Sequence, residues 1–256
     1  MNIQVYPPEQ QGVGSFDHGK FKEQRPIGFS GDRSAIDRLG PLFYWAWGRA
    51  EDIAEIGMHP HQAFEIMTYV LKGVVEHQDS LGSQQTVTAG GAQVMQAGSG
   101  IYHGEAFREV GSEGLQIWFE PHLQEAITQP PTYHQYNHDQ FPIVEHHGVI
   151  QKTIIGLASP IHIRTETQVL DLTITPESTY TYPLPAGRIL AYLTIEGVGN
   201  LSDGTPTDPI PFQYRDFVVI RSEHDQVMTV QANPGRNLRI ITIEVPAHVN
   251  YPLYQK

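Results

Sequence analysis

Gly57-Met58-His59-Pro60-His61 and, further along, Gly98-Ser99-Gly100-Ile101-Tyr102-His103-Gly104-Glu105 decide how this chain is read. Each run carries two potential metal ligands at i, i+2 spacing: His59 with His61, and His103 with Glu105. On an extended strand side chains alternate between two faces, so residues two apart point the same way, roughly 6–7 Å apart. Two neighbouring strands with such pairs can bring three imidazoles and a carboxylate to one point. Imidazole suits iron, copper, nickel and zinc, and a carboxylate favours a harder divalent ion. Four protein ligands leave one or two positions open on a five- or six-coordinate ion, as catalysis on a metal requires.

Outward from these runs the chain reads as short strands broken by turns. Glu65 to Glu76 is rich in β-branched and aromatic residues, and Asp79-Ser80-Leu81-Gly82 is a turn signal. Gln84 to Thr88 forms a short strand, and Ala89-Gly90-Gly91 turns the chain into Ala92-Gln93-Val94-Met95-Gln96. Gly98 and Gly100 let the backbone curl inward just before His103. Leu42-Phe43-Tyr44-Trp45-Ala46-Trp47 is an aromatic strand, read as barrel packing ahead of ligand stacking, and Leu115 to Phe119 is another strand. Arg33 to Gly40 reads as a helical turn. Residues 120–148, with Pro121, Pro130, Pro131 and Pro142 among polar residues, read as a linker. Its histidines, His122, His134, His138, His146 and His147, are irregularly spaced and are expected to be solvated rather than to form a second metal site.

The second half echoes the first. Ala191-Tyr192-Leu193-Thr194-Ile195-Glu196-Gly197 is similar to Thr68-Tyr69-Val70-Leu71-Lys72-Gly73 with one extra residue before the glycine. Arg215 to Ile220 likewise echoes Gly90 to Met95. Matching Tyr192 to Tyr69 puts Tyr182 and Leu184 where His59 and His61 stand, and matching Ile220 to Met95 puts Met228 and Val230 at His103 and Glu105. The second half is therefore expected to be a metal-free copy.

At 256 residues the chain can bury one large or two medium cores. Its 24 Gly and 19 Pro follow no collagen-like period and suit many short strands. With no cysteine there is no disulfide, thiolate site or cysteine nucleophile, which is compatible with a reducing cytoplasm. The start of the chain lacks the pattern of a signal peptide, and no apolar run reaches membrane-spanning length. A net charge of −12 argues against direct nucleic-acid binding.

The motif region also resembles the pirin family. The resemblance lies in His59-Pro60-His61, Phe64-Glu65-Ile66, Thr68-Tyr69-Val70-Leu71 before Gly73, His77-Gln78-Asp79-Ser80-Leu81-Gly82, and Gln93 to Ile101 ahead of His103 and Glu105. It implies an all-β bicupin: two antiparallel jelly-roll-type β-barrels packed together, a metal-binding cupin domain over 1–135 and a metal-free one over 136–256. It implies His59, His61, His103 and Glu105 as metal ligands, with Glu105 as the catalytic residue as well. The general cupin pattern would instead use Glu65, which is assigned here either as an acid that supports the ligands from behind or as a buried structural acid. His77, next to a turn, is left out of the site, and Tyr102 and Phe107 are weighed as pocket-lining or packing residues. The cofactor implied is one divalent transition metal, Fe(II) first, with Zn, Ni, Cu, Mn or Co as alternatives. The activity implied is a quercetin 2,3-dioxygenase-like opening of a flavonol ring by dioxygen, in the cytoplasm, without nucleic acid or membrane. A metal-binding regulatory cupin with a protein partner and no turnover is the main alternative, and a sugar-binding or isomerase cupin the second. Gly104-Glu105-Ala106-Phe107 and residues 48–56 depart from the pattern of many relatives, which bears on the substrate more than on the metal.

Overall fold

The β-branched and aromatic runs become strands, and glycine and proline end them. In the computed structural model, which describes residues 2–204 and 209–256, β1 (Asn2–Tyr6) is followed by β2 (Gly12–Phe16), β3 (Phe21–Ile27), β4 (Leu42–Ala50), β5 (Ala54–His61), β6 (Glu65–Lys72), β7 (Val74–Asp79), β8 (Gln84–Thr88), β9 (Ala92–Gln96), β10 (Ile101–Phe107) and β11 (Glu113–Phe119). After the single-turn helix α1 (Leu123–Ala126) come β12 (Thr132–Tyr136), β13 (Ile143–His146), β14 (Val149–Ile155), β15 (Gln168–Ile174), β16 (Thr179–Leu184) and β17 (Arg188–Glu196). The last five are β18 (Val198–Ser202), β19 (Ile210–Gln213), β20 (Phe217–Arg221), β21 (Gln226–Ala232) and β22 (Leu238–Pro246). Among the described residues no helix is long and apolar enough to cross a membrane.

The strands form two units, and the partition is finer than one cut. An N-terminal barrel comprises Gln10–Gln140, Ile163–Thr165 and Val249–Lys256; a C-terminal barrel comprises Met1–Glu9, Phe141–His162 and Glu166–His248. Each is an all-antiparallel jelly-roll-type barrel made of a seven-stranded and a four-stranded sheet. In the N-terminal barrel the orders are β12-β9-β6-β11-β4-β3-β2 and β5-β10-β7-β8. In the C-terminal barrel they are β1-β20-β17-β22-β15-β14-β13 and β16-β21-β18-β19. The same plan is thus used twice, with β1 in the place that β12 holds. The last residues are fixed to the N-terminal barrel, where the Tyr251 hydroxyl donates to the Glu120 carbonyl at 2.8 Å and the Tyr254 N–H donates to the buried Glu120 carboxylate.

Glu65 to Glu76 forms two strands, broken at Gly73, whose φ of 72° suits glycine and where a Cβ would meet Ser112 Oγ at 2.2 Å. Several sequence expectations need correction. Arg33 to Gly40 forms no helix; the segment is held by bridges from Ile36 to Ile27 and from Leu39 to Leu42. Residues 120–148 are not a structureless linker, because β12 pairs along β9, with His134 opposite Val94, and β13 pairs with β14. The echo around Tyr192 is one residue out: Tyr192 lies opposite Val218 as Thr68 lies opposite Gln93. A one-residue slip turns a side chain to the other face. Tyr192 therefore faces the C-terminal core just as Thr68 faces the interior of the N-terminal barrel, towards Glu105.

Candidate metal centre

In the N-terminal barrel β5 and β10 run antiparallel with His59 opposite His103 and His61 opposite Ile101. Period-two alternation then sends all three imidazoles to one side. Their ring centroids stand 4.8 Å apart for His59 and His61, 4.5 Å for His59 and His103, and 4.9 Å for His61 and His103. One nitrogen from each lies within 4.8 Å of the other two. Between His103 and Glu105 the pairing shifts, so that Glu105 lies opposite Ile56. Two steps on β10 match three on β5, which is a bulge on the β5 side at Gly57 and Met58.

The chemistry of the three rings fits a divalent transition ion. His103 is buried with neither ring nitrogen hydrogen-bonded. Such groups are rare inside proteins unless something else satisfies them. His59 has Nδ1 2.8 Å from the Gly57 carbonyl oxygen, which suits a donated N–H and leaves Nε2 for a ligand. Burial, with the neighbouring His59, pushes His61 down to about 4. Burial, reinforced by His61, His59 and His77, pushes His103 down to about 2. Both are therefore neutral at ordinary pH, the form that binds metal.

Glu105 lies on the same strand but outside the group of converging nitrogens. Its Oε1 accepts from Thr68 Oγ1 at 2.9 Å and Gln93 Nε2 at 2.6 Å, and its Oε2 accepts from Gln116 Nε2 at 3.0 Å. Burial pushes it up to about 7; the bond from Thr68 opposes this, the charge of Glu23 adds to it, and the bonds from Gln116 and Gln93 oppose it. Glu65, the acid a general cupin would use, is taken up elsewhere. Its carboxylate accepts from Gln96 Nε2 at 2.6 Å and from the backbone N–H of Arg164 at 2.9 and 3.0 Å and of Thr165 at 3.4 Å. It acts as a buried staple for that segment.

His77, left out on sequence grounds, is inside β7 and buried, with its ring 5.4 Å from that of His103. Phe107 packs on Phe21 at 4.3 Å, a core contact. Tyr102 is exposed and, with Pro60, His61, Gln62, Gly100 and Ile101, lines a cleft of about 510 Å³ that reaches His61. Trp118 stands edge-on to His61 at 4.7 Å. Thr68, Gln93, Gln116, Tyr133 and Trp118 were not found from sequence. A glutamine inside an apolar strand, as in Ala92 to Met95 or Leu115 to Phe119, was the available signal.

A family model described as Pirin matches residues 34–119. Pirin from Homo sapiens is 32% identical over 244 residues, covering 93% of this chain and 79% of that protein. A putative quercetin 2,3-dioxygenase from Zymomonas mobilis is 32% identical over 193 residues, covering 72% of this chain and 78% of that protein. The chain spans only 59%, 64% and 53% of three plant pirin-like proteins that it matches. Among solved structures, bacterial pirin YhhW from Escherichia coli in complex with nickel(II) superposes with a TM-score of 0.79 at 22% identity, covering 96% of this chain and 99% of that one.

Proposed function

The chain belongs to the pirin family of bicupins, and on that footing we propose that it is a metal-dependent dioxygenase that opens the ring of a flavonol-like substrate with dioxygen. The observation that carries the reading is the trio of converging imidazoles, with the buried carboxylate of Glu105 on the strand that carries His103. The putative quercetin 2,3-dioxygenase among the similar proteins supports the substrate class.

The ion is assigned to His59, His61 and His103, with Glu105 as the carboxylate that completes the set. Fe(II) is the first choice, and Zn, Ni, Cu, Mn or Co are alternatives. A bound divalent ion would acidify a hydroxyl of the substrate and favour its enolate. Glu105, two residues from His103 on the same strand, is the residue that takes the proton. Thr68, Gln93 and Gln116 hold its carboxylate in place from three other strands. The cleft at His61 and Tyr102 admits the substrate.

Metal content, flavonol loss and oxygen uptake measured on one sample of the full chain test this reading. One ion per chain is expected, with flavonol and oxygen consumed together. Flavonol loss at full rate without oxygen rules out a dioxygenase. A metallated protein that turns over no flavonol is a metal-binding regulator instead. Glu105→Asp retains the charge but draws the carboxylate back, and at equal metal content a displacement of about 1 Å slows turnover on the order of 100-fold. An unchanged rate removes Glu105 from proton transfer.

A further inference from the structure

His77 and Asp79 repeat on β7 the i, i+2 spacing of the metal-ligand pairs, and both side chains are buried. In the register of β7 with β10, His77 lies opposite Glu105 and Asp79 opposite His103. His77 Nε2 is 2.9 Å from Asp79 Oδ2. The other oxygen of Asp79 accepts the backbone N–H of Leu81 at 2.9 Å and of Ser83 at 3.0 Å, so the turn fixes the carboxylate. Tyr133 lies flat on the His77 ring, at 3.9 Å and 11°. The Tyr133 hydroxyl donates to Gln93 Oε1 at 3.1 Å, and the amide of Gln93 donates in turn to Glu105.

An ionised carboxylate can only accept, so Asp79 puts the proton of His77 on Nε2 and leaves Nδ1 as a lone pair. That Nδ1 is buried and unpaired, as are both ring nitrogens of His103 in the neighbouring ring. A histidine that binds metal through one nitrogen donates the N–H of the other, and that bond fixes its tautomer and orientation. His103 needs an acceptor, and outside the ligand set the ring beside it that offers a buried, unpaired nitrogen is His77.

We propose that His77 is a positioning residue whose Nδ1 accepts the ring N–H of His103 that the ion does not use, giving a relay Asp79–His77–His103 that ends at the metal. The inference rests on the reading of His103 as a ligand. The ring centroids, 5.4 Å apart, are near enough for such a bond, and Tyr133, stacked on His77, limits the rotation available to that ring.

Asp79→Asn separates this role from simple packing. Asparagine keeps the shape, and its oxygen can still serve the turn, but its NH₂ group donates to Nε2 and moves the His77 proton to Nδ1. Two N–H groups then face each other between His77 and His103. Ni(II) affinity, measured by competition, should fall on the order of 10–100-fold, and the visible absorption of the Co(II) form should shift. His77→Phe, which fills the space without an acceptor, should do the same. In metal-free wild type, imidazole ¹⁵N spectra should show His77 protonated on Nε2 and coupled across a hydrogen bond to His103. Unchanged Ni(II) affinity and Co(II) spectra in both variants overturn the proposal, as does a wild-type His77 protonated on Nδ1. A wild type that binds neither ion defeats the metal reading alone. The ¹⁵N coupling then still decides, its presence upholding the relay and its absence overturning it.

Discussion

The strand pair β5 and β10 of the N-terminal barrel and the pair β16 and β21 of the C-terminal barrel occupy the same place in their four-stranded sheets. In one, His59 lies opposite His103; in the other, Tyr182 lies opposite Met228. His61 opposite Ile101 becomes Leu184 opposite Gln226. The first pair then shifts register at Glu105, whereas the second continues unbroken to Val230 opposite Tyr180. Tyr182, Leu184, Met228 and Val230 all pack in the C-terminal core. The difference is therefore more than an exchange of ligands for apolar residues. The barrel with the histidines also carries an extra residue that re-aims the strand, together with a buried polar interior that no apolar core would tolerate.

The comparison can be broken most severely by making the first barrel resemble the second. His103→Met should lower Ni(II) affinity on the order of 1000-fold or more, since a direct ligand is lost. It should also stabilise the metal-free protein by about 1–3 kcal/mol, because the buried ring nitrogen that has no partner without the ion is gone. Competition binding and urea unfolding of the metal-free form check both. The reverse exchange, Met228→His, puts an imidazole into a fully buried apolar position. It should destabilise by about 2–4 kcal/mol and bind no second ion, as unfolding and metal analysis would show.

A smaller effect separates the two barrels by pH. In the metal-free protein Glu105 has its pKa raised to about 7 from a model-peptide value near 4.5, so its contribution is present below pH 4.5 and is lost as pH rises through 7. His61 and His103, with lowered values, contribute above pH 6.5 and lose that contribution as pH falls. Glu105→Gln removes only the first trend. Its stability relative to wild type should therefore grow between pH 4.5 and 7, by about 2–3 kcal/mol for a shift of this size. A flat difference across that window would show that the Glu105 carboxyl is not held protonated. The mildest change is Glu65→Gln. It weakens the staple on Arg164 and Thr165, costing about 1–2 kcal/mol, while Ni(II) affinity stays within a few-fold of wild type. A loss of metal would show that Glu65, not Glu105, supplies the carboxylate.

The features legible in the sequence were those with a short period. His59 with His61 and His103 with Glu105 declare themselves because a strand repeats every two residues, and the Gly73, Asp79–Gly82 and Gly90–Gly91 breaks do so through backbone chemistry. The surroundings of Glu105 were not legible, because Thr68, Gln93 and Gln116 come from β6, β9 and β11 and meet only through the order of the sheet. His77 was passed over because its nearness to a turn hid the fact that Asp79 both opens that turn and faces inward. The echo placed Tyr182 and Met228 opposite one another correctly, yet misplaced Tyr192 by one residue. The extra residue allowed before Gly197 caused the slip, because matching Gly197 to Gly73 without it puts Tyr192 at Thr68, as the register has it.

The placing of β1 in the C-terminal barrel and of Val249–Lys256 in the N-terminal one has a consequence for how the protein is made. During synthesis β1 precedes the other described strands and finds its partner only when Phe217–Arg221 has followed. Until then the nascent chain carries an unpaired strand, and the barrel that holds the histidines lacks its own last segment. Neither barrel can be completed before most of the chain has been synthesised, so the pairing of largest sequence separation should set the folding rate. Trimming either end should injure the barrel at the opposite end of the chain. Loss of the last eight residues, Val249–Lys256, would be felt at Glu120, on the chain just beyond the strand that carries Trp118 to His61.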